Sequence, residues 1–260
     1  MILAGTVITG ITELYDADAQ AFITAAGITN TTQQGAINTL VVQLKANSLW
    51  TNMQAIYPYV GGTAASHKYN LKDPRDLDAA FRLEYRGSSV THSANGITTT
   101  GTGYCNTFCV PGSVLNRSYG DYIRIATNDG WSGSYIGNAF GFKVNTSPAV
   151  TAVGVNNLQG LGNSIVYGYL TSSILSASSG FLFNNSTTKF TNTSVASSPA
   201  AGVIYIGALN QGTTSAGTPW SEYGNRTLSF THLSNGLTSA QHSTLVTIVQ
   251  AYQTTLGRNV

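Results

Sequence analysis

Residues 67–87 read HKYNLKDPRDLDAAFRLEYRG, and the periodicity of the chain changes inside them. Upstream, apolar residues recur at helical spacing. From Phe81 onward Phe81, Leu83 and Tyr85 alternate with Arg82, Glu84 and Arg86, the two-residue period of a strand with one buried face. The stretch also carries nine charged side chains, from Lys68 to Arg86, in a chain with 12 basic and 10 acidic residues in all. Asp73-Pro74-Arg75-Asp76 has the form of a helix start, an acidic cap with Pro at the first helical position. The node of Lys72, Asp73, Arg75, Asp76, Asp78 and Arg82 is therefore expected to be a structural joint between a helical part and a β part. Paired ions lose hydration and fix geometry more than they add stability.

Working outward, residues 1–15 read as a β-prone docking arm with Glu13 as its one charge, and residues 16–72 as a helical segment. Asp16 or Asp18 caps a helix that stops at Gly27, and Thr31 with Gln34 forms a capping box ahead of Ile37, Leu40, Val41 and Leu44. Trp50, Met53 and Ile56 suggest further helical turns before Pro58. Residues 73–260 read as a body of short strands: 104–110, 120–126, 134–144, 150–155, 164–171, 180–184, 188–195, 202–209 and 226–233. Turn signals such as Asn95-Gly96, Asp129-Gly130 and Asn235-Gly236 punctuate them. Thr238 and Gln241 cap a closing amphipathic helix over 238–256. The expected fold is mainly β, a jelly-roll β-sandwich with an N-terminal helical segment and a C-terminal helix.

Composition narrows the function. The net charge is +2 and the basic residues form no stripe, which excludes a nucleic-acid binder. Charged residues make up 8% of the chain, against about 25% in ordinary soluble domains, a balance that suits an extracellular, tightly assembled β protein. No apolar run is long enough to span a membrane, and the N-terminus lacks the basic region of an export signal. Export by lysis, as part of a virus particle, is one route consistent with that. Cys105 and Cys109, four residues apart on a strand, would lie about 13 Å from each other, too far for a disulfide. They read as buried thiols.

No catalytic, metal or cofactor motif stands out. Glu13, Glu84 and Glu222 do not form a paired-carboxylate strand pattern, and GWSGS at 130–134 fails the nucleophile-elbow motif. Ser186 to Lys189 matches S-x-x-K by chance composition. His67, His92, His232 and His242 lack metal-ligand spacing. His67 is expected to hydrogen-bond within the charged node, and His242 to be solvated. The aromatic residues are the better candidates: Trp131, Tyr135, Trp220 and Tyr223, with Tyr119 and Tyr122, stand near turns where a ring could stack on a sugar.

Two segments carry a resemblance. LWTNMQAIYPYVGGTAAS at 49–66 running into HKYNLKDPRDLDAAFRLEYRG, and LSNGLTSAQHSTLVTIVQAYQTTLGRNV at 233–260, resemble segments that recur in virion structural proteins of tailed bacteriophages; Asp16–Gly27 is similar as well. The resemblance implies a concanavalin-A-like or laminin-G-like jelly roll on a tail, fibre, neck or capsid-surface protein. It implies no catalytic residues and no cofactor. Its partners would be other virion proteins and further copies of the chain, with a host-surface glycan as the possible ligand. Its place would be the particle surface, outside the cell after release. A lectin-like glycan-binding module is the alternative reading.

Overall fold

Two helices open the described chain. Asp16 caps α1 (Ala17–Ala25), accepting from the Asp18 amide at 3.0 Å, and Gly27 ends it with φ of 63°. The cap of α2 (Thr31–Ala46) is Asn30, not Thr31: its side chain accepts from the Gln33 amide at 3.0 Å. Asn outranks Thr at this position, and Gln34, expected in a capping box, donates instead to the Ile28 carbonyl at 2.8 Å. Lys45 near the end of α2 reaches Asp16 at 2.7 Å and Asp18 at 2.6 Å, fastening the two helices together.

The structure, a computed structural model, describes residues 15–87, 89–110, 115–126, 130–136, 138–144, 167–193, 202–212, 217–219 and 223–260. The arm at 1–15, apart from Tyr15, and the strand expected at 150–155 lie outside them. A 3-10 turn at Trp50–Asn52 leads into β1 (Met53–Tyr57), where helical turns were expected. After α3 (Ala64–His67) come β2 (Glu84–Arg86), β3 (Val90–Ser93), β4 (Gly96–Thr99), β5 (Tyr104–Asn106) and β6 (Arg117–Ala126). The stretch expected as one strand over 134–144 belongs to a hairpin, β7 (Gly130–Ile136) and β8 (Asn138–Val144). Then follow β9 (Gly168–Ser176), β10 (Ser179–Asn184), β11 (Thr187–Asn192), β12 (Tyr205–Ile206), β13 (Leu209–Asn210), β14 (Arg226–Ser234) and α4 (Ser239–Thr255). The capping box of Thr238 and Gln241 is present.

The strands form two sheets. In the larger, eight-stranded one the order is β11-β10-β9-β6-β14-β4-β3, and β1 also pairs with β14. Strand β14 thus has β6 along one side, and β4 followed by β1 along the other. The six-stranded sheet runs β13-β7-β12-β5-β2, with β8 on β7. One apolar core fills the space between the sheets, drawing on Tyr57, Ile97, Cys105, Tyr119, Ile123, Phe140, Ile206 and Leu228. A second lies between the larger sheet and the helices, where Ile56, Tyr122, Tyr169 and Phe230 meet Phe22, Leu40, Val41, Leu245 and Val249. The layers are therefore helix, sheet, sheet, and all nine residues of β14 are buried.

Two buried polar side chains clamp the layers. Asn70 accepts from the amides of Ile56 at 2.9 Å and Lys72 at 3.0 Å, and donates to the carbonyls of Gln54 at 3.2 Å and Ala80 at 3.1 Å. One amide thereby holds β1 against the 68–83 loop. Arg258, just past α4, donates to the carbonyls of Tyr59 at 2.8 Å, Pro58 at 3.2 Å and Ser229 at 3.0 Å, and to Gln253 Oε1 at 3.0 Å. Burial lowers its pKa.

The charged node has a different place from the one expected. Asp73-Pro74 starts no helix: Asp73 pairs with Arg75, and the chain makes only a 3-10 turn at Asp78–Ala80 before Phe81 turns left-handed with φ of 60°. The bond from Asn70 to Ala80 draws the chain back and leaves no room for a longer helix. Asp76 pairs with Lys68 and, at 3.7 Å, with Arg82, while Asp78 pairs with Arg82 at 2.8 Å. These ion pairs are solvent-facing, a setting in which each adds only about 0–1 kcal/mol. Lys72 leaves the network altogether, donating to the Trp50 carbonyl at 2.9 Å with its ammonium 3.9 Å from the Trp50 ring centre. The joint is the neutral Asn70, and the salt bridges decorate its surface.

Asn70→Ala removes the partner of four backbone groups, two of them in buried bonds, at about 1–3 kcal/mol per unsatisfied buried group, so chemical denaturation should show a loss of at least about 2 kcal/mol. Arg75→Ala, at a solvent-facing pair, should leave the denaturation midpoint unchanged. Equal losses in the two variants would return the joint to the ion pairs.

Candidate ligand face

The outer face of the larger sheet is taken by the helices, and among the described residues no helix lies on the smaller one. On β5, Cys105 points into the sandwich core, which leaves Tyr104 and Asn106 for the opposite face. Register extends that face: Arg86 pairs with Tyr104, Glu84 with Asn106, and Tyr205 with Asn106. The rings of Tyr104 and Tyr205 lie 4.8 Å apart between centres, and those of Tyr104 and Tyr223 6.3 Å apart. Val203 and Ala208 complete the cluster. Tyr104 and Tyr205 are buried within it, and Tyr223 is the partly exposed member.

A polar edge borders the rings. The Arg86 guanidinium donates to Glu84 Oε2 at 2.8 Å through Nε, and the Asn106 amide donates to the same oxygen at 3.3 Å. The hydrogen bond to Glu84 raises the Arg86 pKa. Burial raises the Tyr104 pKa and pushes Tyr205 up to about 12. The Tyr104 and Tyr205 phenols are therefore neutral hydroxyls beneath Tyr223. The last two charges of the 67–87 cluster thus belong to this face and not to the node.

Local backbone chemistry sets the rings in place. The Asn106 side chain accepts from the Phe108 amide at 3.0 Å and Phe108 turns to φ of 54°, which ends β5 short of the expected 110. Gly207, with φ of 84°, splits the expected strand 202–209 into β12 and β13, and its amide donates to Ser132 Oγ at 2.9 Å. Thr99 Oγ1 donates to the Gly224 carbonyl at 2.5 Å and the Gly224 amide to the Gly207 carbonyl at 2.9 Å, which positions the neighbouring Tyr223. The Tyr205 hydroxyl donates to the Gly217 carbonyl at 2.9 Å. A Cβ at Gly217 would meet Asn210 Oδ1 at 2.1 Å, so the loop over Tyr205 closes only with glycine there.

Of the sequence-derived candidates, Tyr223 is in this cluster. Trp131 and Tyr135 flank Gly133, the β7 residue that pairs with Tyr205, and pair with Lys143 and Ala139 of β8. Strand alternation puts positions 131, 133 and 135 in phase with Tyr205; their side chains and the whole of Trp220 lie outside the described residues. Tyr119 and Tyr122 are fully buried on the two faces of β6 and meet no ligand. Tyr104 and Tyr205 were not singled out, although each alternates with a core residue in YCN and IYI.

The histidines also differ from expectation. His67 faces away from the node, toward Gly62 and His92. His242 is buried, at 2.8 Å from the Asn185 carbonyl and stacked 4.0 Å from the Phe183 ring centre. Burial pushes its pKa down to about 4.

No protein-family model matches the sequence, and no curated protein matches it. Among solved structures, the chain is similar to the binding domain of botulinum neurotoxin serotype D, with 9% identity and a TM-score of 0.50 over 77% of this chain and 52% of that one. The chain is a jelly-roll β-sandwich. A Trypanosoma rangeli sialidase mutant displaying trans-sialidase activity aligns with 12% identity and a TM-score of 0.48 over 83% of this chain, which spans 39% of the sialidase. Domain 4 of an extracellular arabinanase from Geobacillus stearothermophilus, in complex with arabinotriose, aligns with 13% identity and a TM-score of 0.42 over 75% of this chain and 98% of that domain.

Cys105 lies directly inside the tyrosine face, and Cys109 is buried beside it. Burial raises both thiol pKa values far above the usual range. At pH 8 a thiol reagent should label neither cysteine in the native protein and both after denaturation; native labelling of Cys105 would show that the face is open to its core.

Proposed function

We propose that this chain is a non-enzymatic structural component of a tailed-bacteriophage particle, and that its smaller sheet offers the tyrosine face to a host-surface glycan. The observation that carries the binding half of the reading is the partly exposed Tyr223 ring, backed by the buried Tyr104 and Tyr205 and bordered by Arg86 and Glu84, on a sheet face that no helix covers among the described residues. A pyranose ring presents an apolar C–H face that packs on an aromatic ring and hydroxyls that bond to an amide, carboxylate and guanidinium edge. The particle half rests on the resemblance of residues 49–87 and 233–260 to virion proteins, and on the low charge.

The absence of catalysis is supported by what the acids already do. Asp16, Asp18, Asp73, Asp76, Asp78 and Glu84 each pair with a cation. Asp121 is sealed between the sheets, accepting from Tyr119 at 2.6 Å and Thr231 at 2.6 Å, and burial pushes its carboxyl up to about 6. General acid–base work on a glycoside needs two carboxyl groups facing one substrate, and each described carboxylate is engaged elsewhere.

A glycan array should return host-type saccharides, and Tyr223→Ala and Trp131→Ala should each weaken those hits by at least about tenfold, equivalent to about 1.4 kcal/mol. Hits that survive both substitutions would remove the face from the reading. New reducing ends released from host polysaccharide would overturn the non-enzymatic part.

A further inference from the structure

We propose that His67 and His92 form an acid-released latch between the 60–67 segment and the β3–β4 hairpin. The two Nδ1 atoms lie 3.1 Å apart. His67 Nε2 accepts from the Gly62 amide at 3.2 Å. A neutral imidazole carries one N–H and one lone pair, so the bond from Gly62 places the His67 proton on Nδ1. That proton is donated to His92 Nδ1, and the His92 proton sits on Nε2. The arrangement holds one proton between the two rings and has no place for a second.

Protonation of His92 puts two N–H groups against each other at 3.1 Å. If His67 answers by moving its own proton to Nε2, that nitrogen faces the Gly62 N–H instead. Either way one bond is lost. The same bond from Gly62 disfavours a metal between the rings, because a ligating Nδ1 would force the proton onto Nε2.

Among the described residues, the groups around the pair offer no counter-charge. The Tyr59 ring lies edge-on to His67 at 5.7 Å, and the Tyr85 ring edge-on to His92 at 4.5 Å. The charge nearest in effect is Arg258, which also opposes a proton on His67. Burial, then the neighbouring His92 and Arg258, pushes His67 down to about 3; burial lowers His92, which is half-buried and reached first by solvent protons. Folded pKa values below the unfolded value of about 6.5 mean that the stability the latch contributes is fully present above that pH and is lost as pH falls through the lower folded values.

The latch sits where several parts meet. Gly62 has φ of 70° and packs against the Ser93–Ala94 backbone of the hairpin turn, and the Gly61 amide donates to Gln33 of α2 at 3.0 Å. Releasing the pair frees the edge hairpin of the larger sheet from the segment that leads out of the helix layer.

Nitrogen NMR of the histidine rings at pH 7.5 should show His67 protonated on Nδ1 and His92 on Nε2. On acidification, once His92 takes its second proton, hydrogen-exchange protection should fall about tenfold per pH unit, at the Gly62 amide where the His67 proton moves to Nε2 and at the β3–β4 hairpin amides where the rings part. In His92→Asn, whose carbonyl accepts but does not titrate, both sites should stay protected over the same pH range. An Nε2–H tautomer for His67 at pH 7.5 would overturn the proposal, as would pH profiles at both sites shared by the parent and His92→Asn.

Discussion

Strand β14 meets water on neither face. The sandwich core takes Leu228 and Leu233, and the helix layer takes Phe230. This double burial governs the rest of the molecule. It raises the cost of leaving the polar residues of β14 and its neighbours unpaired to about 1–3 kcal/mol each, and several of them find partners while Ser229 Oγ makes no hydrogen bond. Thr231 donates to Asp121, the His232 ring meets the Tyr169 hydroxyl at 2.5 Å, and the Ser173 hydroxyl and backbone of Leu237 bond at 2.7 and 3.0 Å. It also gives α4 a fixed seat: Arg258 and the Tyr252 hydroxyl both bond the Pro58 carbonyl, which ties the last helix to the strand that flanks β14.

The same constraint decides which sheet face the helices cover. The larger sheet spends its outer face on them, and among the described residues no helix lies on the smaller sheet. Its aromatic face is built from short strands and a glycine-closed loop, where the backbone is set by Asn106, Gly207 and Gly217 and not by long ladders. A surface of aromatic rings with a narrow charged edge suits a chain in which charged residues are only 8% of the total. The ion pairs among residues 68–82 lie on the loop surface, and Glu84 with Arg86 forms the edge beside the rings.

Much of the architecture was legible in the sequence. Helices α1 and α4 announce themselves through Asp16, Gly27 and the Thr238–Gln241 box, and β6, β10 and β14 fall where the strand-rich patterns lie. Met53–Tyr57 was not legible because MQAIY is buried on both sides and lacks alternation; a short apolar run reads equally as helix or strand. The charged node drew attention because its partners are close in sequence. Asn70 and Arg258 drew none, since they bind groups such as Ala80, Tyr59 and Ser229 that only the fold brings near. For the ligand face, Tyr223 was visible through its turn-rich setting, whereas Tyr104 and Tyr205 become candidates only once register places them beside Arg86 and Glu84.

The central claim is that the helix layer is part of the sandwich and not an appendage to it. Thermal unfolding of a chain ending at Gly236, followed by circular dichroism, tests it most directly. Without α4 and Arg258, β14 loses the cover of its outer face, and the account predicts no cooperative transition. A truncated chain that unfolds cooperatively within a few degrees of the parent would contradict it.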